Sequence, residues 1–568
     1  MDEKNIAETA RKHALLNAVK YDGTPNVKAV MGKLMAEKPE LRNDPARAYA
    51  ISGNACKEIE KLSLSKQMNY LQKNYPELLI KEKKERDFTL PPLPDAQKGK
   101  VITRFPPEPN GYLHIGHAKA AVVDYEYARM YDGTFILRFD DTNPAAELKK
   151  FYDAQKEDLK WLGIEWDREY RTSDHLPVHY ELAEKMVREG HAYVCTCSGD
   201  TIKKNRRLEK DCSCKKNMGI GKWNEFFSME EGSAVLRLKG NMRSENTAMR
   251  DPTLFRIIDS PHPIHGDKYR IWPTYDFCGA VEDSLSDVTH PFRTKEYELR
   301  DEVYFYILDC LGLRKPHLME FARLSIEGMP VSKRKIKPLI ENEQVGGWDD
   351  PRLPTLRGLK RRGILPEAIC KFVLSQGISK AEAVVTFDQV EAINRKILDP
   401  VTRRYFFVPD PIKVLVKNAP GKEVMLDHHP SHKLGSRKIK PSDVFFIPRE
   451  DANSMKEGEV FRLKDLYNVR LTGRDDEKIM GEFAGKELIP DTKKIQWVTD
   501  RYVKMEVLLP GNLFIDNNFN KNSLKIVKGY AEPSIKNAKH GEIIQFERFG
   551  FVRIEKDEKR VKGILAHK

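Results

Sequence analysis

The stretch 100–121, KVITRFPPEPNGYLHIGHAKAA, constrains the fold more tightly than any other segment of the chain. KVITRF alternates and is rich in β-formers, so a strand is expected to end at Phe105. Two prolines, an asparagine and a glycine then reverse the chain, each presetting or permitting a turn. From His114 onward, Ala118, Ala121, Val122, Tyr125 and Ala128 recur at helical spacing. TFILRF (134–139) is a second strand, and Ala145, Leu148, Phe151, Tyr152, Leu159 and Leu162 mark a second helix. Strand, helix, strand, helix calls for a parallel sheet with crossover helices, and the core is expected to be α/β.

In such a sheet, nucleotides bind at the C-terminal edge of a strand. A helix starting there offers free N–H groups and a positive dipole end to phosphate. Gly116 is expected to let a base or phosphate approach the backbone. His114 and His117 can donate hydrogen bonds to phosphate oxygens as charge builds. A lone His-x-x-His is more often a surface or cap pair, but here the preceding turn favours the phosphate reading.

The 568 residues exceed one hydrophobic core and suggest about three to five domains. Residues 1–90 read as a Lys-rich helical extension and 91–99 as a Pro-rich linker. The first half of the α/β domain spans 100–174, and 175–270 breaks its rhythm as an insertion. The second half follows at 271–345, then a helical subdomain at 346–400. From 401 to 568, short β-rich runs at even spacing suggest one or two small β-barrels.

Lys and Arg number 98 against 85 Asp and Glu, a net charge of +13 that suits a polyanionic partner. A solvated basic surface is the plainer alternative. No apolar run reaches the roughly 18 residues of a membrane span, so no membrane association is expected. The charged start MDEKNIAETARKH lacks the apolar core of a signal peptide, and a cytoplasmic location is expected. Cys56, Cys278, Cys310 and Cys370 sit among apolar neighbours and are expected to be buried. Cys195, Cys197, Cys212 and Cys214 form two Cys-x-Cys pairs with 14 residues between them, a pattern that suits structural Zn²⁺. Reduced cysteines in a basic loop are the alternative.

HIGH at 114–117 resembles the signature of class I aminoacyl-tRNA synthetases, and TRFPPEPNGYLHIGHAKAA that of the glutamyl/glutaminyl subgroup. LRFDDTNP (137–144), WPTYDF (272–277), DVTHPFRTKEYE (287–298) and MPVSKRK (329–335) match the subgroup in order, in its archaeal glutamyl type. The resemblance covers about 100 to 568 and implies a Rossmann-like catalytic domain, an acceptor-end-binding insertion and anticodon-binding β-barrels. It implies His114, His117 and Lys333 as catalytic residues, although Pro330 and Arg334 depart from the family's lysine-serine-lysine loop. Pro107, Glu108, Asn110, Gly116, Ser332 and Lys333 are implied ATP contacts. Arg104, Asp140, Tyr275 and Arg293 are implied glutamate contacts, with Arg293 pairing to the γ-carboxylate.

The implied reaction joins L-glutamate to tRNA(Glu) through an adenylate, with ATP as substrate and Mg²⁺ on its phosphates. Bacterial members carry a zinc motif in the same insertion, with a different spacing. Rival readings are a glutaminyl enzyme, a small-molecule nucleotidyltransferase and a non-catalytic tRNA-binding protein. The role of the N-terminal helices stays open between RNA contacts, docking of a protein partner and packing alone.

Overall fold

The computed structural model describes residues 3–20, 23–75, 90–516, 518–557 and 560–568. The chain divides into two units, Met1–Asp87 and Phe88–Lys568. The end of the expected N-terminal extension, 76–89, lies outside the described residues.

Helices α1 (Glu3–Lys20), α2 (Val27–Glu37), α3 (Pro45–Glu60) and α4 (Leu64–Asn74) build the first unit. Ala10, Ala14 and Ala18 recur every fourth residue on α1 and are fully buried. Ala48, Ser52 and Ala55 line the buried side of α3, so small residues let the two helices pack closely. The Gln67 amide nitrogen is buried, 3.0 Å from each of the carbonyls of Gly23, Ile59 and Leu62, and ties α4 to the turns beside it.

In the second unit, Leu90–Gly99 has no helix or strand, yet it is fastened down. Tyr127 donates to the Pro91 carbonyl, and Leu93 N–H donates to the Tyr131 hydroxyl. Strands β1 (Ile102–Phe105), β2 (Thr134–Phe139) and β3 (Arg168–Arg171) pair in parallel, Arg104 opposite Ile136 and Ile136 opposite Arg168. Helices α5 (Ile115–Met130) and α6 (Lys149–Trp161) are the crossovers.

The chain then leaves the sheet through α7 (Leu176–Arg188) into β4 (Ala192–Cys195), α8 (Gly199–Arg207), α9 (Ile220–Phe226), β5 (Val235–Leu238), β6 (Thr253–Ile257) and β7 (Ile271–Pro273). These four strands form one antiparallel sheet, β7 included, since Ile257 pairs with Ile271. WPTYDF therefore belongs to two elements: β7 closes the inserted sheet, and Tyr275 opens α10 (Tyr275–Leu285). The parallel pattern resumes at β8 (Phe292–Thr294), followed by α11 (Asp301–Leu311) and β9 (Met319–Phe321). Thr289, just before β8, donates its N–H to the Ile102 carbonyl at 2.9 Å and joins the halves.

Strand β10 (Ser325–Ile326) leads to α12 (Lys333–Glu341), α13 (Leu356–Arg362) and α14 (Pro366–Ser375). The stretch expected as helical also contains a strand, β11 (Val384–Val385), which pairs with β10 before α15 (Asp388–Leu398). The tail holds two seven-stranded sheets. Strands at 404–409 and 503–567 build one, and the chain between 411 and 499 builds the other around the buried Trp497. A hairpin at Phe514–Phe519 reaches α12: Leu513 packs with Ile336 and Leu339, and Phe514 N–H donates to the Gly328 carbonyl at 3.2 Å.

Candidate active site

His114 is the N-cap of α5, and its Nδ1 accepts from the backbone N–H of Gly116 (3.1 Å) and of His117 (3.3 Å). His117 Nδ1 accepts from the His114 backbone N–H at 3.3 Å. Each Nδ1 is thus an acceptor, which fixes the tautomer and leaves the proton on Nε2. The rings stack with centroids 3.7 Å apart. Burial pushes His114 well below the ordinary imidazole value and His117 down to about 4, reinforced by nearby Arg323. Two neutral imidazoles, each with one Nε2–H to donate, therefore sit at a helix N-terminus.

A Cβ on Gly116 would lie 3.0 Å from the His114 ring, so the glycine also makes room for the capping imidazole.

Pro107, Glu108, Asn110, His114, His117, Ser332 and Lys333 come together in one cleft of about 600 Å³. Gln155 holds its turn, donating at 2.9 Å to the carbonyls of Glu108 and Gly111. Lys333 begins α12 and donates to the Asn110 carbonyl across the cleft. Arg323, Arg334 and Lys337 also line it, so four cations face one carboxylate, Glu108. That balance favours a polyphosphate. Arg323 was missed by the sequence reading; its only signal is a cation inside the apolar run EFARL.

On the neighbouring side, Asp283 of α10 is the hub. Arg104 donates to both of its oxygens at 2.9 and 3.2 Å, and Arg138 to Oδ1 at 2.7 Å. Burial alone would raise the Asp283 carboxyl, but the two guanidiniums hold it below the usual range. Arg104 also donates to the Phe292 carbonyl at 2.8 Å, so three of its five N–H groups are already used. Asp140 accepts from Arg138 (2.7 Å) and Thr172 (2.9 Å), and its backbone N–H donates to the Pro107 carbonyl. The cleft turn and the Arg138–Asp283 network are thereby joined.

Arg293 on β8 is 5% exposed, and its guanidinium lies 5.4–5.5 Å from the ring centres of Tyr275, Tyr297 and Tyr304. Its Nε and Nη1 make no hydrogen bond. With Tyr275, Gly279, Asp283 and Tyr304 it lines a small recess separate from the cleft. A buried guanidinium with unpartnered N–H groups is built to receive an anion. Asp283, Arg138, Tyr297 and Tyr304 went unnoticed in the sequence because charged or polar residues inside apolar runs give no local sign of partners so distant in sequence.

The four cysteines also meet. Their sulfurs all lie within 4.8 Å of one another, with Cys212 Sγ 3.5 Å from those of Cys195 and Cys197. Zn–S bonds of about 2.3 Å in a tetrahedron place sulfurs roughly 3.8 Å apart, so the cluster fits a four-thiolate ion.

The catalytic-domain model of the tRNA synthetases class I (E and Q) matches residues 100–400. The chain belongs to this family. Anti-codon binding domain models of the same class I synthetases match 402–485 and 494–555, across the two tail sheets. The glutamate–tRNA ligase of Nitrosopumilus maritimus is 45% identical over 574 residues, covering 100% of both chains. That of Cenarchaeum symbiosum is 44% identical over 558 residues, covering 97% of this chain and 98% of its own. That of Pyrococcus furiosus is 42% identical over 582 residues, covering 99% and 100%. Among the described residues of this class I synthetase, no helix is long and apolar enough to cross a membrane.

Proposed function

We infer that the protein is a glutamate–tRNA ligase, joining L-glutamate to the 3′ end of tRNA(Glu) and releasing AMP and diphosphate. The carrying observation is Arg293. A γ-carboxylate brings this buried guanidinium an anionic acceptor for its unpartnered N–H groups, whereas a side-chain amide brings no charge to it. The glutaminyl reading is disfavoured on that ground.

ATP enters the cleft as its Mg²⁺ complex. The α-carboxylate of glutamate attacks the α-phosphorus, the bond to the bridging oxygen breaks, and diphosphate leaves with its electron pair. His114 and His117 donate from Nε2 to phosphate oxygens without changing protonation state. Lys333 exchanges the Asn110 carbonyl for phosphate, and Glu108, Asn110, Pro107 and Ser332 shape the walls. Asp140 and Tyr275 face the amino acid, and Arg104 acts chiefly by holding Asp283. The terminal ribose 2′-hydroxyl then attacks the glutamyl carbonyl carbon and expels AMP.

The insertion takes the acceptor end of the tRNA and the tail its anticodon, in the cytoplasm. The cysteine cluster holds Zn²⁺ through Cys195, Cys197, Cys212 and Cys214 as a cross-link within the insertion.

ATP–pyrophosphate exchange, run with each amino acid and with and without tRNA, tests the reaction. Exchange with glutamate alone among the amino acids is expected, and no exchange under any condition refutes the enzyme. Arg293→Gln should lower kcat/KM for glutamate by about 100-fold or more, the scale of a buried charge left unpaired.

A further inference from the structure

Arg293 already has an anion close by, though not a hydrogen-bonded one. Asp301, the first residue of α11, places Oδ1 3.5 Å from Arg293 Nη1. Both atoms are buried and without a hydrogen-bond partner. At that length and without bonding geometry the contact is electrostatic only. Behind Asp301 stands Glu320 of β9, whose side chain is 3% exposed. Glu320 pairs with Lys380, which also reaches Glu298 at 3.0 Å, while its Oε1 is unpartnered.

Beside the recess Arg293 faces Asp301, and Lys380 pairs with Glu320 and Glu298, while Arg300 and Asp276, which also line the recess, pair with each other. A γ-carboxylate arriving at Nη1 brings a further anion beside Asp301 and the buried Glu320. Nη1 is the group that faces Asp301, so a carboxylate that accepts from Nη1 competes with Asp301 for it. Resting on the assignment of Arg293 to the γ-carboxylate, we propose that Asp301 is a positioning residue acting through Arg293. It holds the guanidinium while the recess is empty and takes a proton from solvent when glutamate replaces it. Glutamine brings no charge, so with glutamine Asp301 keeps its hold and no proton is taken up.

The setting suits this exchange. Burial and the adjacent Glu320 push the Asp301 carboxyl up to about 6, against the pull of Arg293 and Lys380. The groups facing it are Arg293 from β8, Glu320 from β9 and Lys380 from the loop after α14. Tyr297 and Glu298 close the side toward the Lys295–Arg300 turn.

The test is the KM for glutamate in aminoacylation between about pH 5.5 and 8.5, a range that spans the Asp301 titration. In the unmodified enzyme KM should rise with pH above about 6, up to tenfold per unit for one coupled proton. Asp301→Asn should flatten that rise and lower KM at about pH 8 by about tenfold or more, with kcat within about twofold. An unchanged slope, or a fall in kcat with no gain in KM, would overturn the exchange.

Calorimetry of glutamate binding to the unmodified full chain, in buffers of different ionisation enthalpy, needs no variant. About one proton taken up at pH near 8 supports the proposal, and none overturns it. Arg293→Gln separates the two readings. If glutamate use survives that change, the assignment of Arg293 fails; if it collapses while Asp301→Asn changes nothing, only the exchange fails.

Discussion

His114 and His117 cap each other: the Nδ1 of each accepts the backbone N–H of the other, at 3.3 Å in both directions. The two histidines of this chain therefore form a helix cap in their own right. The cap directs both Nε2–H groups away from the helix backbone.

Asparagine at either position should separate the two roles, because its side-chain oxygen can cap while the Nε2 donor is lost. His114→Asn should keep the thermal midpoint within a few degrees and lower kcat about 100-fold, as for loss of one transition-state donor. His114→Ala should additionally cost about 1 kcal/mol of stability. Thermal unfolding read beside single-turnover adenylate formation checks both; equal melting losses for the two variants would contradict the capping role.

The same pair predicts a pH dependence. His117 falls from the ordinary value of 6.5 to about 4 on folding, so the unfolded chain takes the proton more readily. Its contribution to stability is fully present above about pH 6.5 and is lost as pH falls through about 4. Urea midpoints measured from pH 7 downward should decline more steeply for the native enzyme than for His117→Asn.

Asp283→Asn should be severely destabilising, by about 3–5 kcal/mol, because it leaves the buried guanidiniums of Arg104 and Arg138 without their shared anion. Denaturant unfolding gives the number. A loss below about 1 kcal/mol would mean that the arginines find other partners.

Gly328 has φ +68°, and a Cβ there would lie 2.7 Å from the Asn512 side chain. Gly328→Ala should push the hairpin off the start of α12, lowering stability by about 1–2 kcal/mol and slowing adenylate formation. Adding Asn512→Gly should recover part of both losses; a strictly additive pair would show that the contact does not matter.

Metal removal tests the cysteine cluster. Mercurial titration should release about one Zn²⁺ per chain from the native enzyme and none from Cys212→Ser. Loss of the ion should raise the KM for tRNA more than the KM for ATP, since no cysteine lines the cleft. Full-strength tRNA binding by the metal-free protein would argue that the ion is dispensable.

Local order was readable because it depends on neighbours in the chain. Turn residues at 106–111 stop β1, apolar spacing from Ala118 makes α5, and Cys195, Cys197, Cys212 and Cys214 announce a cluster through their own pairing. Of the residues that meet in the cleft, His114 and His117 were read from the turn itself, while Pro107, Glu108, Asn110, Ser332 and Lys333 were named only through the family resemblance. The partners of Arg104 were not: Asp283 lies 179 positions away, and nothing in VEDSL marks which carboxylate meets which guanidinium. The insertion, expected to end at 270, gains one more strand because Ile271 pairs with Ile257, a contact no local pattern announces. Periodicity and turn chemistry act over a few residues, so the sequence itself determined the elements and the charged groups they carry. Which charges neutralise one another, and that Arg293 keeps two buried nitrogens without a hydrogen bond, was decided only when packing excluded water from distant segments brought together.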